Sequence, residues 1–167
     1  EGRNNSWVNA TIANQLALYV TLYSPLQMAA DLPEHYAKFM DAFQFIKDVD
    51  IDWIQSKYLL AEPGEYVVIA RQGKKNGQWF CGGVTDDQKR TVEVPLQFLD
   101  PEKTYEATIY RDADDAHYKE NPQAYVIEKK TVTFHDFLPV TMAPGGGFAI
   151  SFEENRNIFE FTIPYDL

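Results

Sequence analysis

The sequence predicts a mainly β protein: an antiparallel β-sandwich of about eight strands, of Greek-key type, preceded by an α/β fragment of helix, short strand and helix. Three observations lead there. Apolar spacing is helical up to about residue 52 and changes character after it. From residue 53 onward, short β-prone runs alternate with turn clusters at fairly regular intervals. No helical pattern lies between those runs, which is the signature of a sandwich or barrel of about 110 residues. The chain therefore divides into a helical segment over residues 1–52 and a sandwich over 53–167.

Residues 11–24 read as the first helix, with Ile12, Leu16, Tyr19, Val20 and Tyr23 in a helical series. Ala13, Ala17, Leu18 and Leu22 fill most of what remains, so this helix is apolar nearly all round and needs neighbours on several sides. Pro25 stops it. Residues 26–30 form a short buried strand, and Asp31-Leu32-Pro33-Glu34 has the form of a capping box opening a second helix over 32–49. Tyr36, Phe39, Met40, Phe43 and Phe45 or Ile46 mark its apolar face. A lone short parallel strand between two helices has no partner inside the segment, so it is a piece of a parallel α/β layer.

Strands are expected at 56–61, 66–72, 78–84, 91–95, 104–112, 124–134, 138–142 and 148–153, with 157–163 as a ninth. Glu62-Pro63-Gly64, residues 73–77, Asp86-Asp87, Asp100-Pro101-Glu102 and residues 144–147 supply the turns. Tyr105, Ala107 and Ile109 alternate with Glu106, Thr108 and Tyr110 as a half-buried strand should.

Composition excludes several functions. With 15 Lys+Arg against 25 Asp+Glu the net charge is −10, and both segments are acidic, so no basic face exists for nucleic acid. The longest apolar stretch, 16–22, falls short of the roughly 20 residues a membrane span needs. No basic, apolar and small-residue leader opens the chain, which fits either a cytosolic protein or one whose beginning is missing. Cys81 is alone, so neither a disulfide framework nor a cysteine zinc cluster is available.

Candidate chemistry is sparse. Asp112, Asp114, Asp115 and Glu120 invite a calcium reading, but Ala116, His117 and Gln123 stand where an EF-hand loop needs a ligand, Gly and Glu, so a solvated loop is the better account. His35, His117 and His135 form no zincin pair. Gly145-Gly146-Gly147 is followed by a strand and lacks the Lys-Ser/Thr of a phosphate loop. Cys81 lies beside Trp79 and Phe80, where a small buried hydrophobe is the default, and no Gly-x-Ser-x-Gly is present. The sequons at Asn4 and Asn9 are short patterns that chance supplies. Aromatic residues leave one further reading, a sugar-binding surface in which Trp53, Trp79 and Tyr118 stack on sugar rings. Core packing is the better account of most strand aromatics, and exposure in a row would separate the two.

Seven strings carry a family resemblance: QLALYV (15–20), LYSPLQMAADLP (22–33), FQFIKDV (43–49), GEYVVIAR (64–71), FLD (98–100), YEATIYRD (105–112) and APGGGFAI (143–150). In order and over nearly the whole chain, they resemble the C-terminal end of glycoside hydrolase family 97, the α-glucosidase and α-galactosidase family. The resemblance implies that residues 11–24, 26–31 and 32–49 are the last but one helix, eighth strand and final helix of a catalytic (β/α)₈ barrel, and that the sandwich supports the barrel or associates subunits. Only residues 154–167 look like an extra tail. The family's catalytic carboxylates and calcium ligands are implied to lie upstream, so this chain alone is expected to be inactive, with no metal site or cofactor of its own. Asp31, at the barrel-strand end, is a substrate-proximal position in the parent enzyme, although N-cap of the following helix is its stronger role. Implied partners are the rest of the barrel or a second copy of the chain, with α-linked glucosides or galactosides as substrates of the parent. The implied location is periplasmic or secreted.

Overall fold

The computed structural model of the protein describes residues 10–22 and 38–155. Among the described residues, two helices, α1 (Ile12–Thr21) and α2 (Met40–Asp48), precede eight strands: β1 (Trp53–Glu62), β2 (Tyr66–Gly73), β3 (Trp79–Thr85), β4 (Arg90–Pro95), β5 (Thr104–Asp112), β6 (Tyr125–Thr133), β7 (Phe137–Met142) and β8 (Gly147–Glu154). The short strand at 26–30, the capping box with Asp31, and the ninth strand at 157–163 lie outside the described residues.

All eight expected strands are present. Six form one sheet in the order β1-β2-β3-β8-β5-β6, and β4 and β7 form a separate two-stranded ribbon. Every pairing is antiparallel. β1 starts at Trp53, earlier than its expected 56, because a bulge at Ile54 breaks the period-two pattern that would have marked it.

Both faces of the large sheet are covered. On one side the ribbon closes a core that includes Val68, Trp79, Val94, Leu96, Ile109, Leu138, Val140 and Phe152. On the other, α1 and α2 bring Leu16, Val20, Phe45 and Val49 against Trp53, Phe80, Tyr110 and Ala149. The central strands are consequently buried along most of their length, and Tyr110, on the expected outer face of β5, is only 4% exposed. The sandwich thus carries a helical third layer on the apolar face of α1.

α1 begins where Thr11 takes an extended conformation and its hydroxyl accepts the Asn14 amide at 3.1 Å. Its last residue is Thr21, three residues short of the expected 24, and at the C-cap Leu22 the backbone turns extended after a last bond to the Leu18 carbonyl. Of the expected helix 32–49, the described part is Met40–Asp48, which starts after Phe39 with φ −131° and ψ 39°; residues 32–37 lie outside the described residues. Phe39 instead lays its ring edge-on to Tyr125, 6.1 Å between centroids. Asp41 in the first turn and Lys47 in the last complement the dipole of α2.

Candidate functional site

The candidate site among the described residues is the joint where α1 meets the large sheet. The first amides of any helix lack partners inside it. Here the sheet supplies them: the Thr11 amide donates to the Gly145 carbonyl at 3.3 Å and the Ile12 amide to the Pro122 carbonyl at 2.9 Å. Asn14 then donates its side-chain amide to the Gly146 carbonyl at 2.9 Å.

The 144–147 turn that receives the Thr11 and Asn14 bonds is itself pinned by Asp112, the last residue of β5, which is 2% exposed. Its Oδ2 accepts the amides of Ala143 at 2.8 Å and Gly147 at 2.9 Å. Gly146 is needed at this point, because a Cβ there would lie 1.9 Å from Asp112 Oδ2. Burial pushes the Asp112 carboxyl above the ordinary carboxylate range, against the Thr11 hydroxyl, the two amides and the Arg111 guanidinium, which all favour the anion. Arg111 in turn donates to the Asp112 carbonyl at 2.9 Å and pairs with Glu128 at 2.7 Å, which holds the Glu128 carboxyl below its usual value.

This arrangement holds parts together. Oδ2 is engaged by two amides, and the neighbouring carboxylates do not converge on it. Asp114 faces solvent beside Arg111 at 3.6 Å, and Asp115 accepts from Asn121 at 3.1 Å. Among the described residues no group of three His, Cys, Asp or Glu side chains could hold a metal ion.

The sugar-stacking candidates do not form a row. Trp53 is 8% exposed and belongs to the helix-side core, while Trp79 is 7% exposed and belongs to the ribbon-side core, so the two rings serve opposite faces of the sheet. Trp79 reaches a groove of about 760 Å³ beside Gln55, Gln72 and Lys103, but Phe98 packs at 5.0 Å from its centroid and Lys57 Nζ sits 5.7 Å from it. The correction follows from ring area: strand alternation buries large aromatics wherever both faces of a sheet are covered. Tyr118 is half-buried, stacked on His117 at 4.9 Å and packed against Gly145, at the rim of the α1 joint. Asp31 lies outside the described residues.

In the sequence Asp112 reads as a loop carboxylate, and its role as the acceptor of two backbone amides is hidden. The available signal was Thr11 with Asn14, a helix start whose polar side chains face an otherwise apolar helix.

A family model described as "Glycosyl-hydrolase 97 C-terminal, oligomerisation" matches residues 52–153. A retaining α-galactosidase of Bacteroides thetaiotaomicron is 38% identical over 140 residues, and a probable retaining α-galactosidase of Streptomyces bingchenggensis is 31% identical over 140. Each alignment covers 84% of this chain and 20% of the relative, so the chain spans about a fifth of the length of these curated relatives. A glycoside hydrolase family 97 enzyme from Pseudoalteromonas sp. strain K8, solved in complex with acarbose, superposes with a TM-score of 0.85 at 50% identity, over 87% of this chain and 23% of that one. The chain belongs to glycoside hydrolase family 97, whose C-terminal region it carries.

Proposed function

We propose that this chain is the non-catalytic C-terminal portion of an α-glycoside hydrolase of glucosidase or galactosidase type, in which the sandwich seats the end of the catalytic barrel and contributes to self-association. The observation that carries this reading is the α1 joint. Three backbone or side-chain donors of the first turn of α1 and a buried carboxylate fix a helix onto a sheet domain far more firmly than apolar packing alone would. Such a joint lets the sandwich hold a neighbouring α/β body in a fixed place.

The partners in this reading are the rest of the barrel and a second copy of the chain, and α-linked galactosides or glucosides are substrates of the intact enzyme. Calcium, where the intact enzyme uses it, is bound by residues outside this chain. The intact enzyme works in the periplasm or outside the cell.

Purified 167-residue chain should release no aryl alcohol from aryl α-galactosides or α-glucosides above the buffer rate, and should self-associate in light scattering. Turnover at enzyme-like rates overturns the non-catalytic assignment, and a strictly monomeric chain overturns the self-association.

A further inference from the structure

The two edges of the large sheet are dressed differently. On β6, Glu128, Lys129 and Lys130 are all engaged in ion pairs, with Arg111, Glu106 and Glu128 respectively, a charged edge of the kind that resists strand addition. β1 at the opposite edge exposes Ile54 at 58% and Tyr58 at 73%, just beyond Ile51 at 54%. Its two charged residues, Lys57 and Glu62, form no ion pair with any described residue.

Lys57 and Glu62 stand five residues apart, which in a regular strand would place them on opposite faces. The register places them on the same face: Lys57 pairs with Ala70 and Glu62 with Tyr66, four residues apart on β2, because a bulge between Tyr58 and Leu60 absorbs the extra residue. Two β1 strands brought together antiparallel about a two-fold axis between Leu59 and Leu60 would set Lys57 of each copy directly opposite Glu62 of the other. The same register puts Tyr58 opposite Ala61. A two-fold contact requires such self-complementarity, and opposite charges facing across a strand pair satisfy it.

We infer that the β1 edge is a self-association surface, taking β1 of a second copy of this chain to make a continuous sheet through the dimer axis. This rests on the self-association reading above and goes beyond it by naming the surface, the symmetry and the register.

The test uses the 167-residue chain and three variants, Lys57→Glu, Glu62→Lys and the double exchange, in sedimentation equilibrium. Both positions are exposed, and matching thermal unfolding confirms that each variant folds. Each single exchange turns two attractive pairs into two repulsive ones and should weaken the dimer on the order of tenfold, more at low salt than at high. The double exchange should restore the wild-type constant to within about threefold. A wild-type dimer that ignores both single exchanges overturns the surface and leaves self-association standing. Weakening without rescue by the double exchange overturns the register. A wild-type monomer at every concentration overturns self-association itself and leaves the β1 edge to the rest of the barrel.

Discussion

Asp112 Oδ2 and the amide of Gly147 meet at 2.9 Å across 35 residues of chain, tying the end of β5 to the start of β8. The same oxygen holds Ala143, and the turn between these residues receives the first turn of α1. Asp112→Ala would bury two unpaired amides, each costing about 1–3 kcal/mol, so the chain should lose about 2–5 kcal/mol in urea unfolding at pH 7. Asp112→Asn keeps an acceptor of similar shape and should lose less. An unchanged urea midpoint for the alanine variant would show that the joint is held by something else.

The pH dependence of that joint has a definite sign. Burial raises the folded carboxyl of Asp112 above its ordinary 3.8, so the folded state binds the proton more tightly than the unfolded one. Its contribution is fully present below that value and is lost as pH rises through the raised one. Wild-type stability relative to Asp112→Asn should therefore decline from about pH 4 towards neutrality, and a difference that grows with pH over that window would contradict the assignment.

Glu128 behaves in the opposite sense. The Arg111 guanidinium, at 2.7 Å, holds its carboxyl below 4.5, so this contribution is present above that pH and lost as pH falls through the lowered value. Both side chains are roughly a quarter exposed, which screens the pair and keeps it near 0.5–1 kcal/mol. Glu128→Gln should cost about that much at pH 7 and nothing measurable at pH 3, read from paired urea titrations.

What the sequence reveals of the fold, and what it hides, follows from the range of the forces involved. All eight strands are legible because turn residues and β-prone runs act locally, as at Glu62-Pro63-Gly64 between β1 and β2. The third layer was also written in the chain, although less openly. Val67-Val68-Ile69-Ala70 and Phe148-Ala149-Ile150 are continuous apolar runs where a sheet open to water on one face would alternate. Asp112 was legible only as an acidic residue in a loop-rich stretch, because its partners lie more than 30 residues downstream and are backbone amides, which no side-chain pattern advertises. Trp53 and Trp79 looked alike in sequence, and only the register assigns them to opposite faces.

Phe45 tests the helical layer directly. It is fully buried, edge-on to Phe80 at 6.1 Å and to Tyr110 at 5.4 Å, and is the largest side chain that α2 contributes to the helix-side core. Phe45→Ala removes that ring and leaves a cavity, a change that costs about 3–5 kcal/mol in well-packed cores. Protease should cut the variant near α2 before the sheet is lost. Simultaneous loss of helix and sheet would mean that the helical layer and the sandwich unfold as one unit.

Gly82 tests whether α1 is seated at a fixed height. It lies in β3 beneath the helix, where an added Cβ would stand 2.9 Å from the Ala17 carbonyl oxygen and 2.9 Å from Val20 Cβ. Neither neighbour can swing away: one is helix backbone, and the other is the root of a fully buried side chain. Gly82→Ala must therefore lift α1 by a few tenths of an ångström, which costs about 1–3 kcal/mol by the usual measure of overpacking. The lift strains the α1 joint, since Asn14 and the Thr11 amide must still reach the 144–147 turn. β3 remains bonded on both sides, to β2 and β8, and has no reason to move. Hydrogen exchange should consequently speed up for the amides of α1 while those of β3 and β8 stay protected. Equal loss of protection in both layers would place the strain in the sheet and show that α1 tolerates a methyl group beneath it.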